Sequence, residues 1–410
     1  MPDMYAQVDT DGNLRIPAEL ARSLGFVPGA RVKLGRLADR LVLHRPADHL
    51  ARIYIEPTTA CNLQCRTCMR NVWDEPIGRM DSETFGRILE GIRALPDPPT
   101  VLFGGLGEPL MHPDFLDMVR EAKRLDGPVE AITNGILLDE ARASALVEAG
   151  LDTLWVSIDG ASPECYADVR REGDLSRVMA NLQRLRDVKL QKRCSRPVVG
   201  ISFVAMKRNL SELPEVLRLE HRVGARKFLV SNVYPHTAEL LDEILYRRSI
   251  GESLWSRSKV RIGRMDPSPD TARVLDTVIR GRYGPRLEGT ELLWPSDTCP
   301  FVSRGSTCVR WDGMVSPCLP LLHTHTSYLE DRLRTNSAHT FGSLRERSLA
   351  DLWAMPEYVE FRRRVEDFDF SPCTFCNACD MANENREDCF GNTAPTCGGC
   401  LWAQGFIQCP

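Results

Sequence analysis

The stretch Ile53-Tyr-Ile55-Glu-Pro-Thr-Thr-Ala-Cys61-Asn-Leu-Gln-Cys65-Arg-Thr-Cys68 decides how this chain reads. The β-branched and aromatic run at its start predicts a strand, and three cysteines follow within one loop. Structural zinc sites normally complete four ligands by pairing C-x-x-C units or by adding histidines. No fourth ligand stands near this loop. A chance spacing or a structural zinc site is the plain alternative. Three thiolates on a four-iron cubane would leave one iron open, which suits an enzyme that must bring a substrate onto a cluster and reduce it.

Outward from that loop, short apolar runs recur at Thr100–Phe103, Val129–Ile132, Thr153–Val156, Val198–Val204 and Lys227–Val230. Helical stretches alternate with them. Asp81–Leu95 opens on an Asp/Ser cap, and Asp174–Leu190 repeats Leu175, Val178, Met179, Leu182 and Leu185 at helical spacing. Six βα units predict an α/β fold whose parallel sheet closes into a partial (β/α)6 barrel. Chemistry in such folds gathers at the carboxyl ends of the strands. Gly104-Gly105-Leu-Gly107-Glu108-Pro109 follows the second run, Thr133-Asn134-Gly135 the third, and Ser157-Ile-Asp159-Gly160 the fourth, with Arg170 beyond it. A tight turn explains the glycines but not Glu108, and S-x-D-G alone is a common turn.

The 410 residues carry 52 basic and 56 acidic side chains, a net charge of −4 that gives no general argument for nucleic acid or anionic lipid. Length predicts two or three domains at about 150 residues each. No run of 18 apolar residues occurs, and the opening MPDMYAQVDTDG lacks the basic and apolar regions of a signal peptide. A cytoplasmic protein without a membrane span is expected. Fifteen cysteines fall in clusters at 61–68, 299–318 and 373–409, with Cys165 and Cys194 alone as small packing residues. Without a secretion signal such clusters read as metal ligands rather than disulfides.

The C-x-x-x-C-x-x-C loop after the first strand, with the segments at the next three strand ends, resembles the radical S-adenosylmethionine superfamily. The resemblance implies a [4Fe–4S] cluster on Cys61, Cys65 and Cys68 whose open iron chelates S-adenosylmethionine. It further implies that Gly105, Gly107 and Glu108 meet the methionine amino group and that Asn134 ends the third strand at the cofactor. Ser157 and Asp159 would lie near ribose and methionine, and Arg170 would pair the methionine carboxylate. The superfamily's usual aromatic before the third cysteine is Thr67 here, which leaves the adenine contacts open.

Residues 298–410 resemble the SPASM auxiliary-cluster domain: Cys299, Gly313, Cys318, a helical linker, then Cys373 and Cys376. This implies one or two auxiliary [4Fe–4S] clusters drawn from Cys299, Cys318, Cys373, Cys376, Cys379, Cys389, Cys397, Cys400 and Cys409, with Cys308 a further candidate. Ten cysteines exceed the eight that two cubanes need, and zinc on Cys397-Gly-Gly-Cys400 is the competing reading. His323 and His325 read as exposed loop residues. Residues 1–48, with a hairpin around Asp9–Asn13 and a short Pro17–Leu24 helix, resemble the SpoVT/AbrB swapped-hairpin module. That implies a homodimer, since so few residues make a poor core alone. Seven basic and six acidic side chains there argue against DNA.

The expected units are 1–48, a barrel at 49–235, a helical bridge at 236–297 and the Cys-rich remainder at 298–410. Together with the ending Pro395-Thr-Cys-Gly-Gly-Cys-Leu-Trp, the chain resembles radical maturases associated with tungsten-dependent aldehyde ferredoxin-type oxidoreductases. An oxygen-sensitive enzyme is implied, acting on a protein, peptide or pterin-type cofactor and fed by reduced ferredoxin or a flavodoxin-type donor. A ribosomal-peptide or sulfatase-type maturase is the alternative, and an iron–sulfur redox-sensing DNA-binding regulator the alternative of another class. No side chain stands out as the proton acceptor.

Overall fold

The computed structural model describes residues 5–37, 40–247, 261–262, 265–266, 268–280, 299–374 and 379–410. Cys376 and most of the expected bridge lie outside them. The six runs form parallel strands at Arg52–Ile55, Thr100–Phe103, Val129–Thr133, Thr153–Ser157, Val198–Ala205 and Ala225–Asn232. They neighbour one another in chain order, as successive elements usually do.

The sheet runs past six strands at both edges. Arg261–Ile262 pairs in parallel with the sixth strand, and Ser306–Val309 pairs in parallel with the first. From Ser306–Val309 the sheet continues antiparallel through Met314–Ser316 to Gly342–Ser343. The Cys-rich unit is thus built onto the barrel sheet itself. Its first strand, Ser-Thr-Cys-Val, has no apolar run to announce it and becomes buried only because the first barrel strand lies beside it.

Alternation along each strand sorts side chains to two faces. Ile53 and Ile55 join the large core under the helices, whereas Tyr54 and Leu102 join a second cluster with Met206, Phe301 and Trp402. Helix Ser82–Arg93 supplies Phe85, Ile88, Leu89 and Ile92 to the large core, with Asp81 accepting from the Thr84 N–H as its cap. Helix Leu175–Gln191 does the same with Val178, Leu182 and Leu185 under an Asp174 cap. On the other face, near the amino ends of the strands, Glu130 receives Arg52 at 3.3 Å, the Trp155 indole N–H at 3.3 Å and Lys227 at 3.9 Å. This polar plug closes one end of the barrel and leaves the carboxyl ends as the working mouth.

The amino-terminal unit has the expected hairpin, Gln7–Val8 on Leu14–Arg15, and a second, Leu34–Leu37 on Arg40–Leu43. Its helix Ala18–Ser23 buries no residue, and Tyr5, Val8, Leu14, Leu34 and Leu41 are exposed. It touches the rest through Lys33, which pairs with Asp367 at 3.1 Å. At its end, the carbonyls of Ala47 and Asp48 also bind it to the rest, accepting from Arg362 and Trp353. Arg362 is nearly fully buried, 3.6 Å from the Trp353 ring centre and 4.4 Å from that of Tyr358.

Gly200 lies against the Trp155 ring: a Cβ there would stand 2.5 Å from it. Gly200→Ala is expected to destabilise the barrel by about 1–3 kcal/mol through overpacking, read as a fall in the thermal unfolding midpoint; an unchanged midpoint would show that the ring can move aside.

Candidate functional site

Cys61, Cys65 and Cys68 stand at the barrel mouth on a loop pinned from both sides. The Gly105–Glu108 turn packs on one side, with the Glu108 N–H donating to the Ala60 carbonyl at 2.8 Å. A Cβ on Gly107 would lie 2.0 Å from the Thr58 carbonyl oxygen, so only glycine fits. At Gly105, φ is +116° and a Cβ would meet the Glu56 side chain at 2.7 Å. Close packing therefore accounts for both glycines without a ligand. On the other side the Arg66 N–H donates to the Val169 carbonyl at 2.9 Å.

Glu108 is buried and organises this end. Its carboxylate accepts from the Thr133 hydroxyl at 2.8 Å, the Asn134 N–H at 2.7 Å and the Leu110 N–H at 3.1 Å. Burial pushes its pKa up against those donors. Asn134 then reaches Asn62 Oδ1 at 2.9 Å and Cys61 Sγ at 3.8 Å. Asp159 has no exposed surface: it holds Arg170 at 2.6 Å and accepts from the Val204 N–H at 2.7 Å. Its geometry is that of a residue acting through Arg170, whose Nη1 stands 3.8 Å from Cys65 Sγ. Ser157 ends its strand at the same mouth.

Arg70 was not singled out by its sequence position, yet it laces the loop together. It donates to the Thr59 and Leu63 carbonyls at 3.1 and 2.9 Å and to Cys68 Sγ at 3.4 Å. Burial raises the Cys61 and Cys65 thiols, while Arg70 pulls Cys61 and Arg170 pulls Cys65 the other way. The next cysteine in the chain, Cys165, turns to the Asp159 carbonyl at 3.9 Å instead of joining them. Three thiols faced by two guanidinium groups and an amide suit thiolates on a cluster.

A second group forms in the carboxyl-terminal domain. Cys299, Cys318, Cys397 and Cys400 line one cavity with Tyr234, Trp402 and Arg334. Burial pushes the Cys299 thiol up to about 12 and the Cys318 and Cys397 thiols well above the usual thiol range. Two guanidinium nitrogens of buried Arg334, Nε and Nη1, have no hydrogen-bond partner. Buried thiols beside a guanidinium group with two unbonded nitrogens suit an anionic group held by thiolates. An iron–sulfur cluster fits both. Among the described residues no three His, Cys, Asp or Glu side chains close to single-ion distance, and a cubane, being larger than an ion, does not require that of its ligands.

The remaining cysteines are placed differently. Cys308 lies fully buried in register with Tyr54 and does not line the cavity. Cys373 is half-buried beside Ser371, Cys379 and Cys389 are exposed, and Cys409 accepts from the Trp402 indole N–H at 3.4 Å. His323 and His325, expected in exposed loop, are both buried. His323 lies between Glu56 and Glu75, and His325 bonds Tyr234 at 3.1 Å. Their partners are remote in sequence, so alternating His and Thr gave no local sign of burial.

Comparison with known proteins agrees with this geometry. The radical SAM superfamily pattern matches residues 55–219, and an iron–sulfur cluster-binding domain pattern (SPASM) matches residues 299–380. The chain is 33% identical over 362 residues to the tungsten-containing aldehyde ferredoxin oxidoreductase cofactor-modifying protein of Pyrococcus furiosus, covering 87% of this chain and 96% of that one. It is 26% identical over 328 residues to a PqqA peptide cyclase of Granulibacter bethesdensis, covering 78% of each. In fold it is similar to Streptococcus suis SuiB bound to S-adenosylmethionine, with TM-score 0.54 and 16% identity over 83% of this chain and 72% of that one. It is likewise similar to anSMEcpe with bound AdoMet, with TM-score 0.51 and 17% identity over 87% and 96% of the two chains. Likeness along nearly the whole of the Pyrococcus protein, on this barrel, makes the chain a member of the radical S-adenosylmethionine superfamily and an enzyme of that class, with an iron–sulfur cluster-binding domain joined to its barrel.

Proposed function

We propose that this enzyme modifies the cofactor of a tungsten-containing oxidoreductase of the aldehyde ferredoxin type, or matures that protein. The observation that carries the reading is the match at 33% identity over 96% of the Pyrococcus protein. Cys61, Cys65 and Cys68 would hold the first [4Fe–4S] cluster. With S-adenosylmethionine bound there, the cluster would supply the one-electron reduction that radical chemistry needs.

The chain's own groups would orient that cofactor. An ionised carboxylate offers about four lone-pair sites; three on Glu108 are taken by protein donors, and the remaining one suits the methionine ammonium. Gly105 and Gly107 hold the turn against the cluster loop, Asn134 ties it to Cys61, and Ser157 would lie near the ribose. Arg170, held by Asp159, would meet the methionine carboxylate. Cys299, Cys318, Cys397 and Cys400 would carry one auxiliary cluster. Cys373, Cys376, Cys379 and Cys389 remain for a second, with Cys409 beside the first.

Reduced ferredoxin or a flavodoxin-type donor would supply the electron. The exposed apolar residues of the coreless amino-terminal unit support a homodimer. No helix among the described residues is long and apolar enough to cross a membrane, and a cytoplasmic place suits oxygen-sensitive clusters. A ribosomal-peptide modifier is the second reading, favoured by the PqqA peptide cyclase match over 78% of each chain.

Anaerobically reconstituted protein with dithionite and S-adenosylmethionine is expected to form 5′-deoxyadenosine. Changing Cys61, Cys65 and Cys68 to Ala should abolish it. An intact first cluster without product would contradict the proposal, and radical chemistry on a peptide but not on the tungsten enzyme's cofactor would favour the second reading.

Cys397→Ser with Cys400→Ser is expected to remove about four irons per chain, one cubane's worth, by iron and sulfide analysis. Zinc in place of iron in the unsubstituted protein would instead support the zinc reading of these two cysteines.

A further inference from the structure

Glu56, one residue beyond the first barrel strand, continues the alternation that turns Tyr54 away from the large core, and its side chain has no exposed surface. One oxygen accepts from the Leu106 N–H at 3.2 Å; the other lies 2.8 Å from His323 Nε2. The opposite ring nitrogen, Nδ1, lies 2.6 Å from Glu75 Oε2. His323 is 1% exposed and Glu75 24%, so the row runs from the closed barrel interior toward solvent. We propose that Glu56, His323 and Glu75 form a proton relay between the barrel mouth and the surface.

Three features of the arrangement support it. Each ring nitrogen faces a carboxylate, so the ring satisfies both partners only as an imidazolium; a neutral ring would set a lone pair against one of them. The two nitrogens point apart, so the carboxylates do not converge on one metal ion. The imidazolium gives its Nδ1 proton to Glu75, turns over so that the bare nitrogen faces Glu56, and there takes the proton that has arrived, which restores the charged ring. One proton enters, one leaves, and no electron moves along the row.

The surroundings favour the charged ring. Burial draws His323 down, but Glu56 and Glu75 outweigh it and hold its pKa above the usual imidazole value. Trp73 meets the ring edge-on at 4.4 Å. Arg310, held by Asp312, lies 3.8 Å from Glu75, and His325 bonds the His323 carbonyl at 2.9 Å while its own charge is disfavoured by burial. Buried Cys308 lies near Glu56 on the adjoining strand. The stabilising charge is present below the unfolded value of about 6.5 and is lost as pH rises through the raised folded value.

What the proton comes from rests on the radical-enzyme reading; the protonation of the row is a property of the chain. The test is a pH titration of ring carbon and nitrogen shifts in histidine-labelled, cluster-reconstituted protein, with His323 assigned by its loss in His323→Gln. The ring should titrate above the usual imidazole value of about 6.5, and Glu56→Gln and Glu75→Gln should each lower its midpoint by at least about one unit. A midpoint at or below 6.5, or one that neither substitution moves, overturns the relay. With substrate, Glu75→Gln should lower product formed per 5′-deoxyadenosine about tenfold and shift its pH profile; an unchanged ratio and profile would make the row merely structural. Absence of 5′-deoxyadenosine from the unsubstituted protein would count against the radical-enzyme reading, and the ring titration would then decide the relay alone.

Discussion

The contact of Gly107 with the Thr58 carbonyl sets the barrel mouth. With no Cβ at this position, the turn after the second strand lies directly on the backbone that leads into the cysteine loop. The Glu108 N–H then bonds the Ala60 carbonyl, and the Glu108 carboxylate gathers Thr133 and Asn134 from the third strand. Asn134 in turn reaches Cys61. Positions on three strand ends are thereby tied to one sulfur. A bulkier residue at 107 would loosen all of them together, because backbone oxygen cannot give way as a flexible side chain can.

A parallel chain of contacts fixes Cys65. Buried Asp159 orients Arg170, and although burial opposes its charge, Asp159 and the Cys65 sulfur keep Arg170 firmly protonated. Arg334 stands beside the four cysteines of the carboxyl-terminal domain with its Nε and Nη1 unbonded. Thiolates in apolar surroundings are costly unless a cation or metal accompanies them. The cavity lined by Cys299, Cys318, Cys397 and Cys400 therefore suits a bound anionic group, with Arg334 in place to meet its charge.

Much of this was legible in the chain. Apolar runs and capped, periodic helices announced six strands and the helices between them, and the residues at consecutive strand ends meet around the cysteine loop as their order implied. The glycines of 104–107 were read beside a ligand, and the structure gives them a packing reason first. What stayed hidden depends on distant partners. Ser306–Val309 is a strand only because Arg52–Ile55 lies beside it. His323 is buried only because Glu56 and Glu75 reach it across 267 and 248 residues. Short polar segments carry no periodicity that could disclose such pairings.

The central claim is that Cys61, Cys65 and Cys68 would hold one cluster that binds S-adenosylmethionine at the barrel mouth, whereas the cysteines of the carboxyl-terminal domain would hold clusters that do not. Electron paramagnetic resonance of the reduced, reconstituted protein, titrated with S-adenosylmethionine, tests it most directly. The account requires one cluster signal to change shape and saturate at about one equivalent per chain, the others staying as they were. Spectra indifferent to S-adenosylmethionine, with the first cluster demonstrably reduced, would contradict it.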